Sequence, residues 1–277
     1  TAGFVGPAIA GVLLATSGAG WALILDAATF AVGAWLLSRL RIPALPASVR
    51  TSFRRELAEG WREVASRRWL WASIVSFALF QLVVLASMSV LGPVVAKRSL
   101  GGSSAWALIA AGFGVGSLAG NLVALHIRPR RPLVTAYALF AGSVPSLFLL
   151  GAAAPAPLIA ATEVLAGLAI GVGGVLWETT LQEQVPRESY GRVVSWDWMG
   201  STLLRPVGLA IAGPLADLIG VRATLYGAGT ILLANMAALL AVPEVRSMRA
   251  GPRSAHEHVP PVLLGEEPLP DDQAREM

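Results

Sequence analysis

Residues 69–96 read WLWASIVSFALFQLVVLASMSVLGPVVA, a run of apolar and small residues without one charged side chain. The hydrocarbon core of a bilayer is about 30 Å thick and takes about 20 apolar residues of helix to cross. This run is long enough. Three further uncharged runs, Gly101–Ile127, Pro132–Thr162 and Ala223–Pro243, meet the same requirement. The whole chain of 277 residues is 55% hydrophobic and 14% charged, where soluble domains carry about 25% charged residues. The sequence therefore describes an all-α, polytopic membrane protein. Strands of a membrane barrel would alternate in segments of about ten residues, and these runs are continuous.

Working outward, eight spans are predicted, at 2–17, 20–39, 70–96, 103–126, 132–151, 157–178, 198–218 and 223–242. The run from Pro132 is too long for one span, and Gly151, Pro155 and Pro157 mark its break. Arginines fix the orientation. One side holds Arg39, Arg41, the cluster Arg50–Arg68, Arg128, Arg130, Arg131, Arg187, Arg192, Arg246, Arg249 and Arg253; the other holds only Lys97, Arg98 and Arg222. The first side is expected to be cytoplasmic, with the C-terminus, in the plasma membrane. The same placement explains the pI near 10.3 without invoking nucleic acid. Trp21 and Trp106 at outer ends, and Trp69, Trp71, Trp177, Trp196 and Trp198 at inner ends, read as an interfacial belt. Cysteine is absent, and no secretory signal is read at the start, where Thr1 looks like a truncation point.

Four sections follow: two helices over 1–40, a cytoplasmic stretch over 41–69, six helices over 70–243 and a polar, disordered tail over 244–277. In the second section Phe53, Leu57, Trp61 and Val64 recur at helical spacing among Arg and Glu, which predicts an amphipathic helix on the inner membrane face, a soluble docking helix being the alternative. His256 and His258 in the tail read as solvated rather than as metal ligands.

Small residues organise the first span. Ala2, Gly6 and Ala10 lie four apart, with Pro7 and Gly11 between and beyond them, a face that lets a neighbouring helix approach closely. The segment Val5–Leu23 also echoes Val207–Leu225, with identities that include Gly6/Gly208, Ala10/Ala212 and Gly11/Gly213. The first span resembles the antiporter motif G-x-x-x-G-P-x-x-G-G of the major facilitator superfamily, with Ala2 and Ala10 replacing two glycines. Asp26-Ala-Ala-Thr-Phe30, Gln182-Glu-Gln-Val-Pro186 before Gly191-Arg192-Val193, and Gly213-Pro-Leu-Ala-Asp217 resemble its bacterial drug-exporter branch, which includes macrolide-efflux and enterobactin-exporter-like proteins. The resemblance covers roughly residues 2–243 and implies helices five to twelve of twelve, with helices one to four missing. It implies a two-fold repeat that accounts for the echo. The implied function is a secondary, proton-coupled exporter of hydrophobic small molecules, with protons, substrate and lipid bilayer as partners. A non-transporting scaffold or sensor on the same fold is the alternative. One departure is the loop His126–Pro132, which has the family's basic cluster without an acidic residue.

Gly112, Gly116 and Gly120 in the fourth span read as a helix-packing face; Gly167, Gly171 and Gly174 in the sixth fit packing or cavity space. Ionisable residues inside spans are functional candidates. Glu163 lies ~9 Å deep in the sixth span, which the resemblance assigns to the cavity. It is the candidate proton carrier, the alternative being a carboxyl capped by a neighbouring hydroxyl or facing outside water; Asp26 is a second candidate, for which a structural hydrogen bond is the competing reading. Arg205 lies ~10 Å deep from the opposite side, too far for Glu163, so Glu178 or Asp197 is its expected partner in a gate or structural network. Phe77, Phe80, Gln81 and Met88, with Ser87 and Ser89, suit a greasy, adaptable pocket on the helix that the resemblance makes cavity-lining. No nucleotide-binding loop, metal cluster or nucleophile–base pair is read, so neither cofactor nor enzymatic activity is expected.

Overall fold

The structure, a computed structural model, describes residues 19–40 and 53–250. The first span with Gly6, Pro7 and Gly11, the stretch 41–52 and the histidines of the tail lie outside the described residues. All described elements are helical: α1 (Ala19–Arg39), α2 (Phe53–Ala65), α3 (Arg68–Leu100), α4 (Ser103–Ala124), α5 (Pro132–Gly151), α6 (Ala156–Gln184), α7 (Arg187–Ile219), α8 (Val221–Ala241) and α9 (Pro243–Ser247). Among them, α3 to α8 are long and apolar enough to cross a membrane.

Proline and glycine set the breaks. The π-helical turn Ala96–Leu100 closes α3 on Gly101 and Gly102, both with positive φ, and the Gly102 N–H returns to the Ala96 carbonyl at 2.9 Å. Only glycine takes that backbone without a steric cost. A second π-helical turn, Gln81–Leu85, interrupts α3 near its middle. In α5 a 3₁₀ turn at Ala141–Ser143 precedes Pro145, whose ring clashes with the carbonyl four residues back. In α7 the segments Arg187–Thr202 and Arg205–Ile219 meet at Leu203-Leu204. Pro206 lacks the N–H that the Thr202 carbonyl would accept, so the helix bends there. Gly220, at φ 90°, then turns the chain into α8.

Two boundaries differ from expectation. α7 begins at Arg187, not near 198, because its polar first half (mean hydropathy is low over Arg187–Trp196) still forms helix by packing rather than by apolarity. Past Pro243, where a disordered tail was expected, α9 forms and buries Val245. Its Glu244 carboxylate accepts the Trp69 N–H at 3.0 Å, satisfying one of the orphan donors in the first turn of α3.

The closest helix contact is α4 on α6. A Cβ added at Gly112 would lie 2.5 Å from the Ala160 carbonyl oxygen, and Cβ atoms at Gly116 and Gly120 would collide with the carbonyls of Val164 and Leu168. Gly167 and Gly171 of α6 press reciprocally on the backbone of Phe113 and Ser117. The two glycine ladders mesh backbone to backbone. Elsewhere Leu133, Leu147, Leu150, Ile159, Leu225 and Leu232 are fully buried between α5, α6 and α8. The Phe148–Tyr226 ring pair at 5.0 Å joins α5 to α8.

The amphipathic helix α2 docks on the start of α7. Trp196 donates to the Leu57 carbonyl at 3.1 Å and packs on Trp61 with centroids 5.0 Å apart, against the bare backbone of Gly60. Val64 is buried, while Leu57 and Trp61 remain exposed. By contrast, nearly every described side chain of α1 is exposed, Phe30 and Leu37 at 70% or more.

Candidate functional site

Helical spacing brings Ser73, Ser76, Phe77, Phe80 and Gln81 to one face of α3. That face, with α5, α6, α7 and Met236 of α8, encloses a cavity of about 480 Å³. Its wall is aromatic at the centre. Phe77 stacks on Phe80 with centroids 5.5 Å apart, Phe80 on Phe140 at 6.3 Å, and Tyr137 tilts onto Phe140 at 6.1 Å. Tyr137 donates to Ser73 Oγ at 2.6 Å, and the Ser73 hydroxyl in turn donates to the Trp69 carbonyl, also at 2.6 Å.

One carboxylate is built into the wall. Asp197 is buried, accepting from Trp177 Nε1 at 3.0 Å on one oxygen and from Ser201 Oγ at 3.2 Å on the other. Two donors from different helices fix its orientation. Trp177 is itself held edge-on against Trp69 at 5.9 Å. Exposed residues Glu178, Trp198 and Arg205 form the rim. The arrangement offers a fixed anionic contact beside a deformable aromatic surface, suited to holding an amphipathic molecule.

The structure brings Phe77, Phe80, Gln81, Glu178, Asp197 and Arg205 to this one cavity. It does not bring Met88, which stands partly buried against the core. The π-helical turn Gln81–Leu85 widens the winding, so a residue two ideal turns beyond Gln81 leaves the cavity face. Glu163 does not line the cavity either. It is buried beside Ser146 of α5, on the same side of α6 as Gly174 but ~16 Å away along the axis. Asp26 is exposed on α1, outside the cavity wall. Arg205 stands at the rim with Glu178, and among the described residues it forms no ion pair with Glu178 or Asp197.

The belt reading of the tryptophans also changes. Trp177 is a wall residue, Trp69 is buried behind it, and Trp196 clamps α2. Tyr137 and Phe140 were not singled out by the sequence. Their spacing of three on a helix opposite Phe77 and Phe80 is the only signal, and it becomes visible once α5 faces α3.

Comparison with known proteins meets this geometry. The chain is 26% identical over 253 residues to the multidrug efflux pump Tap of Mycolicibacterium fortuitum, covering 88% of the chain and 61% of that protein. It is 26% identical over 259 residues to the Tap pumps of Mycobacterium bovis and Mycobacterium tuberculosis, covering 90% of the chain and 61% of each. The chain thus spans less than two thirds of the length of these relatives. No solved structure matches it. A sequence profile of the Major Facilitator Superfamily matches residues 1–209. With its apolar helices and shared internal cavity, the chain is a multi-pass membrane protein that belongs to the Major Facilitator Superfamily.

Proposed function

We propose that the protein is a secondary active transporter that exports hydrophobic small molecules, drugs or siderophore-like compounds, in exchange for protons. The observation that carries this reading is the cavity itself, a ring of phenylalanines beside the fixed carboxylate of Asp197. The name of its relatives, multidrug efflux pump, supports the direction and the substrate class. In this reading four further helices complete the opposite wall, and the two halves rock about the central site. The arginine-rich ends of α3, α5 and α7 face the cytoplasm of the plasma membrane. Cysteine at exposed Ser103 should react with an impermeant thiol reagent added to intact cells, and cysteine at exposed Ser247 should not.

Cells producing the full-length protein should accumulate less ethidium than control cells, and collapsing the proton gradient should remove the difference. Equal accumulation with and without the protein overturns the export reading; a difference that survives collapse of the gradient overturns proton coupling.

Glu163 carries the coupling in this proposal. It is buried, and no cation stands within ion-pairing distance of it among the described residues. A carboxylate so placed exchanges a proton when the surrounding helices open to one side or the other. Glu163→Gln should keep ethidium binding and lose the pH dependence of export. An unchanged pH profile assigns Glu163 to packing.

A further inference from the structure

The cavity is layered along α3. At one level Ser73 meets Tyr137, and Asp197 meets Trp177. The next level is the trio Phe77, Phe80 and Phe140. Beyond it comes Gln81, on the same face as Ser73 and ~12 Å farther along the helix. Gln81 is only 5% exposed, and its side-chain carbonyl has no hydrogen-bond partner among the described residues. The amide of Asn235 on α8 donates to the Ser76 carbonyl at 3.0 Å. A buried amide left unpaired is destabilising, and natural cores hold few of them. Gln81 also opens the π-helical turn of α3, a feature that collects at functional positions. Leucine or methionine would fill the same volume among the phenylalanines without that penalty.

We infer that Gln81 is a specificity-determining residue: its amide hydrogen-bonds a hydroxyl or amine group on the deep end of an apolar molecule held against the phenylalanine trio. The inference rests on the reading of this cavity as the substrate site. The transported class is then narrower than "hydrophobic". It comprises elongated amphipaths with an aromatic body and a polar group at each end, one end at Asp197 and the other at Gln81. An amide serves either partner of such a bond, because a turn about its last torsion exchanges donor and acceptor. Molecules lacking the far polar group leave the amide unpaired and are rejected on that account.

Two probes test this on the purified full-length protein in detergent micelles by calorimetric titration: dimethyl(2-naphthylmethyl)ammonium and its 6-hydroxy counterpart. The hydroxylated probe should bind about tenfold more tightly, as expected for one hydrogen bond to a buried amide. Gln81→Leu should bind the parent probe at least as well as the unmodified protein and lose the preference; Gln81→Glu should keep it, since a carboxylate also accepts from a hydroxyl. Where Gln81→Leu does not fold, Gln81→Met gives the same reading, and retained affinity for the parent probe reports an intact cavity. Equal binding of the two probes by the unmodified protein, or a preference that survives Gln81→Leu, overturns the role of Gln81 and leaves the export reading standing. Binding of neither probe overturns the substrate site and the inference with it.

Discussion

The α4–α6 seam and the α3–α5–α7 cavity share a helix, α6, yet they are built by opposite means. At the seam glycines remove the side chain at the points of closest approach, so that Gly116 and Gly167 rest on carbonyl oxygens of the facing helix. At the cavity the contact residues are the largest available, Phe77, Phe140, Tyr137 and Trp177, and their rings hold the helices apart. Lipid tails are as apolar as leucine, so burial alone does not drive helices together in a bilayer; close packing of small residues does. Close packing leaves no room for a guest. The protein therefore gives its adhesion to one stretch of α6, residues 160–171, and its space to the next, residues 173–181. Gly171 and Gly174, neighbours on α6, show the division: a Cβ at Gly171 would meet the Ser117 carbonyl oxygen at 2.5 Å, whereas at Gly174, in the cavity wall, nothing lies within 4 Å.

The largest expected effect breaks the seam. Gly116→Leu should prevent the bundle from forming, because even the first carbon of the new side chain collides with the Val164 backbone, which cannot turn aside as a side chain can. Gly116→Ala should cost about 1–3 kcal/mol, the usual range for overpacking. Gly114→Ala, on the same helix with open space around it, should cost nothing and gain up to ~1 kcal/mol of helix propensity. Thermal unfolding in detergent separates the three. Equal midpoints for Gly116→Ala and Gly114→Ala would show that the seam is loose and that the contrast with the cavity is not real.

A middle-sized effect sharpens the cavity side. Trp177→Phe keeps the ring against Trp69 and removes the donor to Asp197. The lost hydrogen bond to a charged group should cost about 1.5–3 kcal/mol if the carboxylate stays ionised and dry. Asp197→Asn should lower affinity for a cationic probe such as dimethyl(2-naphthylmethyl)ammonium, and should also lower the unfolding temperature, since one carboxylate oxygen becomes an NH2 that cannot accept from Trp177 or Ser201. Unchanged affinity in Asp197→Asn would reduce Asp197 to a structural link between α6 and α7.

How much of this was legible depends on the range of the interaction that decides it. Uncharged runs long enough to cross a bilayer set the helices, because length and apolarity are local properties; Trp69–Ala96 and Pro132–Gly151 fall within a few residues of α3 and α5. The glycine spacing of Gly112, Gly116 and Gly120 was visible for the same reason, and α6 covers that face. Phe77, Phe80 and Gln81 could be read because an amide amid apolar residues calls for an explanation. Met88 lies off this cavity face because of a π-helical turn, which leaves no mark in the sequence yet rotates everything that follows. The first half of α7 was missed because Arg187–Trp196 is polar, and its helix depends on contacts with α2 and α3. The Trp177–Asp197 bond joins two helices across a turn, and no local pattern announces it.

The smallest effect lies where neither building rule applies fully. At the docking of α2 on α7, a glycine meets a large ring: a Cβ at Gly60 would lie 2.8 Å from Trp196 Cδ1, 3.0 Å from its Nε1 and 3.2 Å from the Arg192 Cβ. Unlike the carbonyls at the α4–α6 seam, an indole can swing away. Gly60→Ala should therefore shift the ring by a few tenths of an ångström and strain its 3.1 Å hydrogen bond to the Leu57 carbonyl. Against that stands the gain in helix propensity inside α2, up to ~1 kcal/mol. The two terms nearly cancel, so the unfolding midpoint should move by less than the Gly116→Ala shift, in either direction. Gly60→Leu cannot be absorbed so cheaply, because its branched end must displace both Trp196 and the Trp61 ring packed against it at 5.0 Å. It should release α2 from α7 while leaving α4 and α6 joined, seen as faster proteolysis near Arg62 with an unchanged core. If Gly60→Ala destabilises the protein as much as Gly116→Ala does, the α2 contact is as rigid as the α4–α6 seam, and the distinction between backbone-lined and side-chain-lined contacts fails.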